Sequence, residues 1–211
     1  SCDLGKFYFD LENPDYETTF AVYHRRFSTN TVPKWFLAQP MRILSHNGEI
    51  NTLLGNINWV RSRQVAIRKA NKELVRGPLV DTGRSDSANL DSMLDAHIRS
   101  GRSCPESVMM LVPEAYSSQP NMVNTPEVEA MYTYFESMQE AWDGPALLMF
   151  ADGDNVGASL DRNGLRPARY MKVADSDGNE FVHLMSEVGV TKALSQFSNP
   201  DSADDKQYGS P

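Results

Sequence analysis

Basic residues are in short supply in this 211-residue chain: 20 Lys+Arg face 28 Asp+Glu, a formal net charge of -8. Such a balance implies no basic surface to attract phosphate backbones or anionic lipid, so no nucleic-acid partner is expected. Cysteine is scarcer still. Cys2 and Cys104 stand far apart without a C-x-x-C, which supports neither a disulfide framework nor a zinc or iron–sulfur site. A reducing interior is the simpler expectation. No apolar run approaches the roughly 20 residues that span a bilayer, and Ser1-Cys2-Asp3 lacks the basic and apolar regions of a signal peptide. A soluble protein with no membrane partner is expected, with upstream sequence missing before a start that is not Met. There is no G-x-G-x-x-G and no internal repeat. What is present is a chain that is 40% hydrophobic, enough for one core or two small ones, with one globular domain as the default.

Local patterning divides the chain. Segment 19–28, rich in aromatic and β-branched residues, reads as a strand ending in a polar cluster. After the turn His46-Asn47-Gly48, residues Ile50, Leu53, Leu54, Ile57 and Val60 recur at helical spacing, so a helix is expected from Glu49. A second helix is expected over 87–99 and a short third over 105–112, opening at Pro105. Val128, Met131, Phe135, Met138 and Trp142 step by three and four, predicting an amphipathic helix over 126–142 whose apolar stripe is core. The last third changes period. Short apolar runs at 146–151, 156–160, 166–173 and 181–186, separated by Asp152-Gly153, Asn163-Gly164 and Gly178-Asn179, predict an antiparallel meander. Residues 195–211, Ser- and Asp-rich, read as a loose tail.

Three polar clusters sit at the ends of these elements, and each has a bland alternative. The pair Arg25-Arg26 has the fork geometry to grip a carboxylate, although an Arg-Arg pair is commonly a solvated surface feature. In Ser45-His46-Asn47-Gly48-Glu49 an amide side chain and a glycine N–H would meet a helix start, a place suited to an oxyanion, but Asn-Gly there is more often a turn and cap. Gly83-Arg84-Ser85-Asp86-Ser87 precedes a helix, so Ser85 or Asp86 as a plain N-cap is the simplest role.

Taken in order, the clusters and their neighbours carry a family resemblance. The blocks are His24-Arg25-Arg26-Phe27-Ser28-Thr29-Asn30-Thr31, Leu37-Ala38-Gln39-Pro40-Met41-Arg42, His46-Asn47-Gly48-Glu49-Ile50-Asn51-Thr52, Ser85-Asp86-Ser87, Trp142-Asp143-Gly144-Pro145-Ala146 and Leu160-Asp161-Arg162-Asn163-Gly164-Leu165-Arg166-Pro167-Ala168-Arg169-Tyr170. This series resembles the glutaminase, or class II glutamine amidotransferase, domain of the glutamate synthase large subunit. Ser85-Asp86-Ser87-Ala88-Asn89-Leu90-Asp91 and Pro167-Ala168-Arg169-Tyr170 look closest to the ferredoxin-dependent type. The resemblance runs from about Phe7 to Val190, with 1–190 expected to be the C-terminal part of that domain and 191–211 a divergent tail.

The resemblance implies an α+β fold, the four-layer αββα sandwich of the N-terminal-nucleophile hydrolases, present in part. It implies hydrolysis of glutamine to glutamate and ammonia, the ammonia passing to a flavin-bearing synthase domain of the same chain for reductive amination of 2-oxoglutarate. By motif match, Arg26 would pair with the glutamine α-carboxylate and Asp86 with its α-ammonium, while the Asn47 side chain and Gly48 N–H would form the oxyanion hole. The family's nucleophile is an N-terminal cysteine followed by glycine. Cys2 does not fit, being followed by Asp3-Leu4-Gly5 and lying too close to Arg26, and Cys104 is expected to be structural, so the nucleophile is expected outside this sequence. No cofactor is expected here; FMN and an iron–sulfur cluster would belong to the rest of the parent, with ferredoxin or a pyridine-nucleotide-oxidising subunit as electron-donor partner and the plastid stroma or cytoplasm as location. The Ala38-Gln39-Pro40 and 161–170 blocks argue against the purine-pathway and asparagine-forming amidotransferases. A non-catalytic glutamine-binding module is the alternative of a different class.

Overall fold

The computed structural model describes residues 3–24, 34–70, 77–122, 125–187 and 207–208. After a one-turn helix α1 (Leu4–Phe7), the elements run β1 (Leu44–Gly48), α2 (Leu53–Ala70), α3 (Asp86–Arg99), α4 (Cys104–Leu111), α5 (Pro126–Met138), β2 (Ala146–Ala151), β3 (Val156–Leu160), β4 (Ala168–Ala174), β5 (Glu180–Met185) and the two-residue β6 (Gln207–Tyr208). Small antiparallel sheets and helices thus make a partial α+β domain, as expected. No helix among the described residues is long and apolar enough to cross a membrane.

The helices form where caps and stripes agree. Ser85 stands in an extended conformation and its Oγ accepts the Ala88 N–H at 3.2 Å, with Asp86 in the first turn and His97 and Arg99 in the last. Both ends therefore complement the helix dipole. Leu90, Met93 and Leu94 point inward from α3. Ser103 caps α4 in the same way, accepting from the Glu106 N–H, and Pro105 fills a first-turn position that lacks an N–H partner in any case. Two helices differ from expectation at an end. α2 starts at Leu53, four residues after Glu49, because the chain first makes a turn in which the Asn56 and Thr52 backbones begin the ladder and Ile50 is committed to α3. α5 stops at Met138 instead of reaching Trp142. Its last carbonyl accepts from Arg63, whose guanidinium also pairs with Glu140, and the Trp142 N–H leaves for the Leu111 carbonyl at 2.7 Å.

The apolar residues make two clusters. The larger joins Leu44, Ile57, Leu94, Leu111, Trp142 and Leu148, so it fills the space between the first sheet and helices α2, α3 and α4. The smaller holds Met110, Tyr116, Tyr132 and Phe135, with Tyr116 and Tyr132 stacked at 5.0 Å between ring centroids. The α5 stripe therefore serves the second cluster through Val128, Met131 and Phe135, while Met138 is exposed and Trp142 belongs to the first.

Two expectations about strands are corrected. Residues 19–24, the described part of the expected strand at 19–28, form no strand: Phe20 and Tyr23 are exposed, and Thr18 Oγ1 engages the Phe20 backbone locally. Aromatic content alone does not make a strand without a neighbouring ladder. The meander is two hairpins in separate sheets, ordered β1-β2-β3 and β5-β4-β6. Strand β1, hidden in what reads as a turn, pairs antiparallel with β2 in the register Leu44↔Phe150 to Gly48↔Ala146. The break between sheets is imposed by Asp161, a 3% exposed carboxylate that accepts the backbone N–H groups of Asn163, Leu165, Arg166 and Ala146. These bonds bend the chain after β3 and peg the bend to the start of β2. Of the stretch read as a tail, Gln207 and Tyr208 pair with Arg169 and Ala168.

Candidate functional site

Asn47 and Gly48 end strand β1 and do not stand at a helix N-terminus, since α2 begins only at Leu53. The helix-dipole part of the expectation is thereby corrected; the strand register replaces it as the source of rigidity. Asn47 lies opposite Leu147 and Gly48 opposite Ala146. Gly48 has φ +142°, and a Cβ there would collide with the Pro145 carbonyl oxygen and approach the Ala146 Cα to 2.7 Å. Across the gap, Gly144 has φ +151°, and a Cβ would run into the Glu49 carbonyl oxygen. Both positions need glycine, for backbone conformation and for close approach of two chains. Alternation along β1 turns Leu44 and His46 toward the core and Ser45 and Asn47 to the other face. There the Asn47 Nδ2 donates to Ser186 Oγ at 2.7 Å, joining the end of β1 to the residue that follows β5.

Asp86 opens α3 directly beside this strand end. Its Oδ1 accepts the Ser87 N–H at 2.7 Å, its Oδ2 accepts the Ile50 N–H at 2.9 Å, and His46 Nε2 stands 3.3 Å from Oδ2. The carboxylate thus bridges residues 46 and 50, on either side of Asn47-Gly48. Burial pushes the Asp86 carboxyl up, but the adjacent His46 ring together with the two backbone N–H groups outweighs it, and the group is held below the usual carboxylate range. Its side chain is 18% exposed. Ser85, not Asp86, is the cap of α3, so Asp86 is released for these longer-range bonds.

A second carboxylate on α3 completes the support. Asp91 Oδ1 accepts the N–H groups of Ile43 and Leu44, each at 2.9 Å, where β1 begins. One helix therefore holds both ends of the strand that carries Asn47. Asn89, fully buried, bonds the Asp81 backbone in both directions and fixes the approach to α3. His46 has 2% side-chain exposure, and among the described residues its Nδ1 has no partner while its Nε2 meets Asp86 at ion-pair distance only. Asp91, His46 and Ser186 received no role from sequence reasoning. His46 and Asp91 fall inside or beside quoted blocks, so a signal existed for them; Ser186, 139 residues from Asn47, had none.

The remaining residues singled out in the sequence are elsewhere. Arg26 and Cys2 lie outside the described residues. Cys104 is fully buried at the start of α4, and burial, with the charges of Asp152 and Asp91, pushes its thiol up to about 12. A thiol so held is no nucleophile near neutral pH. A cleft of about 740 Å³ opens between Val22, Met41, Ser45, Asp95, Arg99 and Met149, and it does not include Asn47, Gly48 or Asp86.

This geometry coincides with a match along the sequence. Residues 1–197 fit the family model of class II glutamine amidotransferases. The chain is 56% identical over 192 residues to ferredoxin-dependent glutamate synthase 2 of Synechocystis sp., covering 89% of this chain and 12% of that protein. It is 54% identical over 192 residues to the ferredoxin-dependent glutamate synthase of Cyanidium caldarium, with 90% and 12% covered. With the Arabidopsis thaliana ferredoxin-dependent glutamate synthase 1, chloroplastic/mitochondrial, identity is 56% over 191 residues, with 89% and 12% covered. The chain therefore spans about an eighth of the length of these relatives. With residues 1–197 of its 211 matched by that family, the chain belongs to the class II glutamine amidotransferases.

Proposed function

We propose that this chain is the substrate-clamping part of a glutaminase that hydrolyses glutamine and passes ammonia to a synthase domain of the same full-length protein. The observation that carries the reading is Asp86 bridging the residues on either side of Asn47-Gly48. A carboxylate oxygen has two acceptor sites. Oδ2 accepts the Ile50 N–H with His46 Nε2 3.3 Å away, and among the described residues Oδ1 accepts the Ser87 N–H, so Oδ1 keeps an acceptor site for the α-ammonium of a free amino acid. In this reading Arg26 holds the α-carboxylate, and Asn47 Nδ2–H with the Gly48 N–H receives the oxyanion as a thiolate adds to the side-chain carboxamide. That thiolate comes from outside the described residues, Cys104 being buried and protonated.

The layering proposed is the αββα sandwich, supported by two separate antiparallel sheets with helices α2–α4 over one of them. Residues 1–190 are proposed as the amidotransferase part and 191–211 as a divergent end. The relatives' names support ferredoxin as electron donor and glutamate synthesis as the coupled reaction, and the Arabidopsis name is chloroplastic/mitochondrial; reductive amination of 2-oxoglutarate and a plastid or cytoplasmic location are proposed from the family resemblance. An iron–sulfur cluster needs accessible thiolates. Cys104 does not fit one, and no group of three or more possible metal ligands occurs among the described residues. FMN and the cluster are proposed, from the family resemblance, to belong to other parts of the full-length protein.

The test is kinetic and uses the encoded full-length protein. Asn47→Ala should lower glutaminase kcat by about 10²–10³-fold with a smaller change in KM, the cost of one oxyanion donor. Arg26→Ala and Asp86→Ala should raise the glutamine KM and leave ammonia-dependent glutamate formation largely intact. Glutamine binding by calorimetry without any hydrolysis in the parent would refute the reading in favour of a binding module.

A further inference from the structure

Among the described residues, the Asn47 carboxamide is hydrogen-bonded by the hydroxyl of Ser186, which follows the far strand β5. Everything else about Asn47 is already fixed by its main chain: the register with Leu147, the Gly48 backbone wedged against Pro145, and the two carboxylates of α3 at either end of β1. The freedom that remains is rotation of the side chain, χ1 and the nearly two-fold χ2 that interchanges Oδ1 and Nδ2. An oxyanion donor must present Nδ2, because Oδ1 turned the same way would repel the developing charge.

From this we infer that Ser186 is a positioning residue that sets the orientation of the Asn47 carboxamide, and so links the state of the second sheet to the oxyanion site. The inference rests on the glutaminase reading above. Ser186 is well placed to act as a fixed point. Met185 before it is 6% exposed and closes β5, and Glu187 after it pairs with Arg166 at 2.9 Å. Arg166 itself donates its backbone N–H to Asp161, which also holds the start of β2 at Ala146. The Ser186 hydroxyl is thus tied back to the strand that pairs with Asn47. By accepting one Nδ2–H it holds the Asn47 side chain in its rotamer and leaves the second N–H to donate.

The experiment compares Ser186→Ala, Ser186→Thr and Asn47→Ala in the encoded full-length protein, measuring glutaminase kcat and KM, ammonia-dependent glutamate formation and Tm. Losing one neutral orienting hydrogen bond should lower glutaminase kcat of Ser186→Ala by about 3- to 10-fold, with KM and ammonia-dependent activity unchanged. Ser186→Thr, which retains the hydroxyl, should restore kcat. The double variant Asn47→Ala/Ser186→Ala should be no slower than Asn47→Ala alone, since without the amide there is nothing to orient. An unchanged kcat in Ser186→Ala, where Asn47→Ala has lost activity, overturns the inference. Loss of both activities together with Tm, not rescued by threonine, also overturns it and makes Ser186 merely structural. If Asn47→Ala itself keeps full kcat, it is the oxyanion reading that fails.

Discussion

Replacing Gly48 by alanine perturbs the candidate site at its tightest point. The added Cβ would collide with the Pro145 carbonyl oxygen and stand 2.7 Å from the Ala146 Cα and 2.8 Å from the Pro145 carbonyl carbon. All three are backbone atoms, so no side chain can swing away to make room. The residue must also hold φ +142°, which costs a non-glycine residue about 1–3 kcal/mol. Overpacking against fixed backbone adds a further ~1–3 kcal/mol. Together the loss is about 2–6 kcal/mol, a large part of the ~5–15 kcal/mol that separates folded from unfolded domains. At about 2–4 °C per kcal/mol for a domain of this size, Tm should fall by about 4–24 °C. Calorimetry or circular dichroism would read this, with Gly55→Ala as the comparison. Gly55 lies within α2 with nothing within 4 Å of its added Cβ, and alanine there should be neutral to stabilising by up to about 1 kcal/mol. A Gly48→Ala protein as stable as the Gly55→Ala variant would refute the close crossing of β1 and the 144–146 segment.

Acid stability should respond in opposite senses to two substitutions on α3. Asp86 is held low in the fold, so its stabilisation is complete above its unfolded value and is lost as pH falls through the lower folded value; Asp91 is raised by burial and has the reverse sign. Urea midpoints measured from pH 7 downward should therefore decline less steeply for Asp86→Asn and more steeply for Asp91→Asn than for the parent, and equal slopes would contradict both assignments. Cys104→Ser places a hydroxyl in a fully buried site and should cost about 1–3 kcal/mol of stability, while glutaminase kcat in the full-length protein stays at the parent's value. Asp161→Asn removes a charge that accepts four backbone N–H groups; Tm should drop, and amide exchange should speed up at Ala146, Asn163, Leu165 and Arg166 before the rest of the chain.

Helix α3 was legible because it begins with a serine cap, and the starts of α4 and α5 because each opens on a first-turn proline, Pro105 and Pro126; all of these signals are local. The end of α5 was not, because Trp142 continues the three–four spacing although its backbone has left the helix for Leu111. Strand β1 was hidden by Asn47-Gly48, which reads as a turn to any local rule; its pairing partner begins near Ala146, beyond the reach of a pattern window. The division of the last third into two sheets depends on Asp161 reaching back to Ala146, which alternation and turn signals do not encode. At the candidate site the resemblance supplied Asn47, Gly48 and Asp86, while the physical basis first given for the proposed oxyanion role, a helix start, is replaced by a strand end. Its rigidity comes from tertiary bonds that no short segment contains.

The pairing of β1 with β2 also has a temporal consequence. Leu44 meets Phe150 and Gly48 meets Ala146 with helices α2 to α5 lying between them in the chain. Hairpins β2–β3 and β4–β5 join neighbours and close quickly, but this ladder must wait for a loop of about a hundred residues to close, an entropic toll met only once the helices have collapsed. The strand end that carries Asn47 is thus completed late, and a partly folded chain would hold its hairpins and capped helices without the geometry on which the proposed chemistry depends.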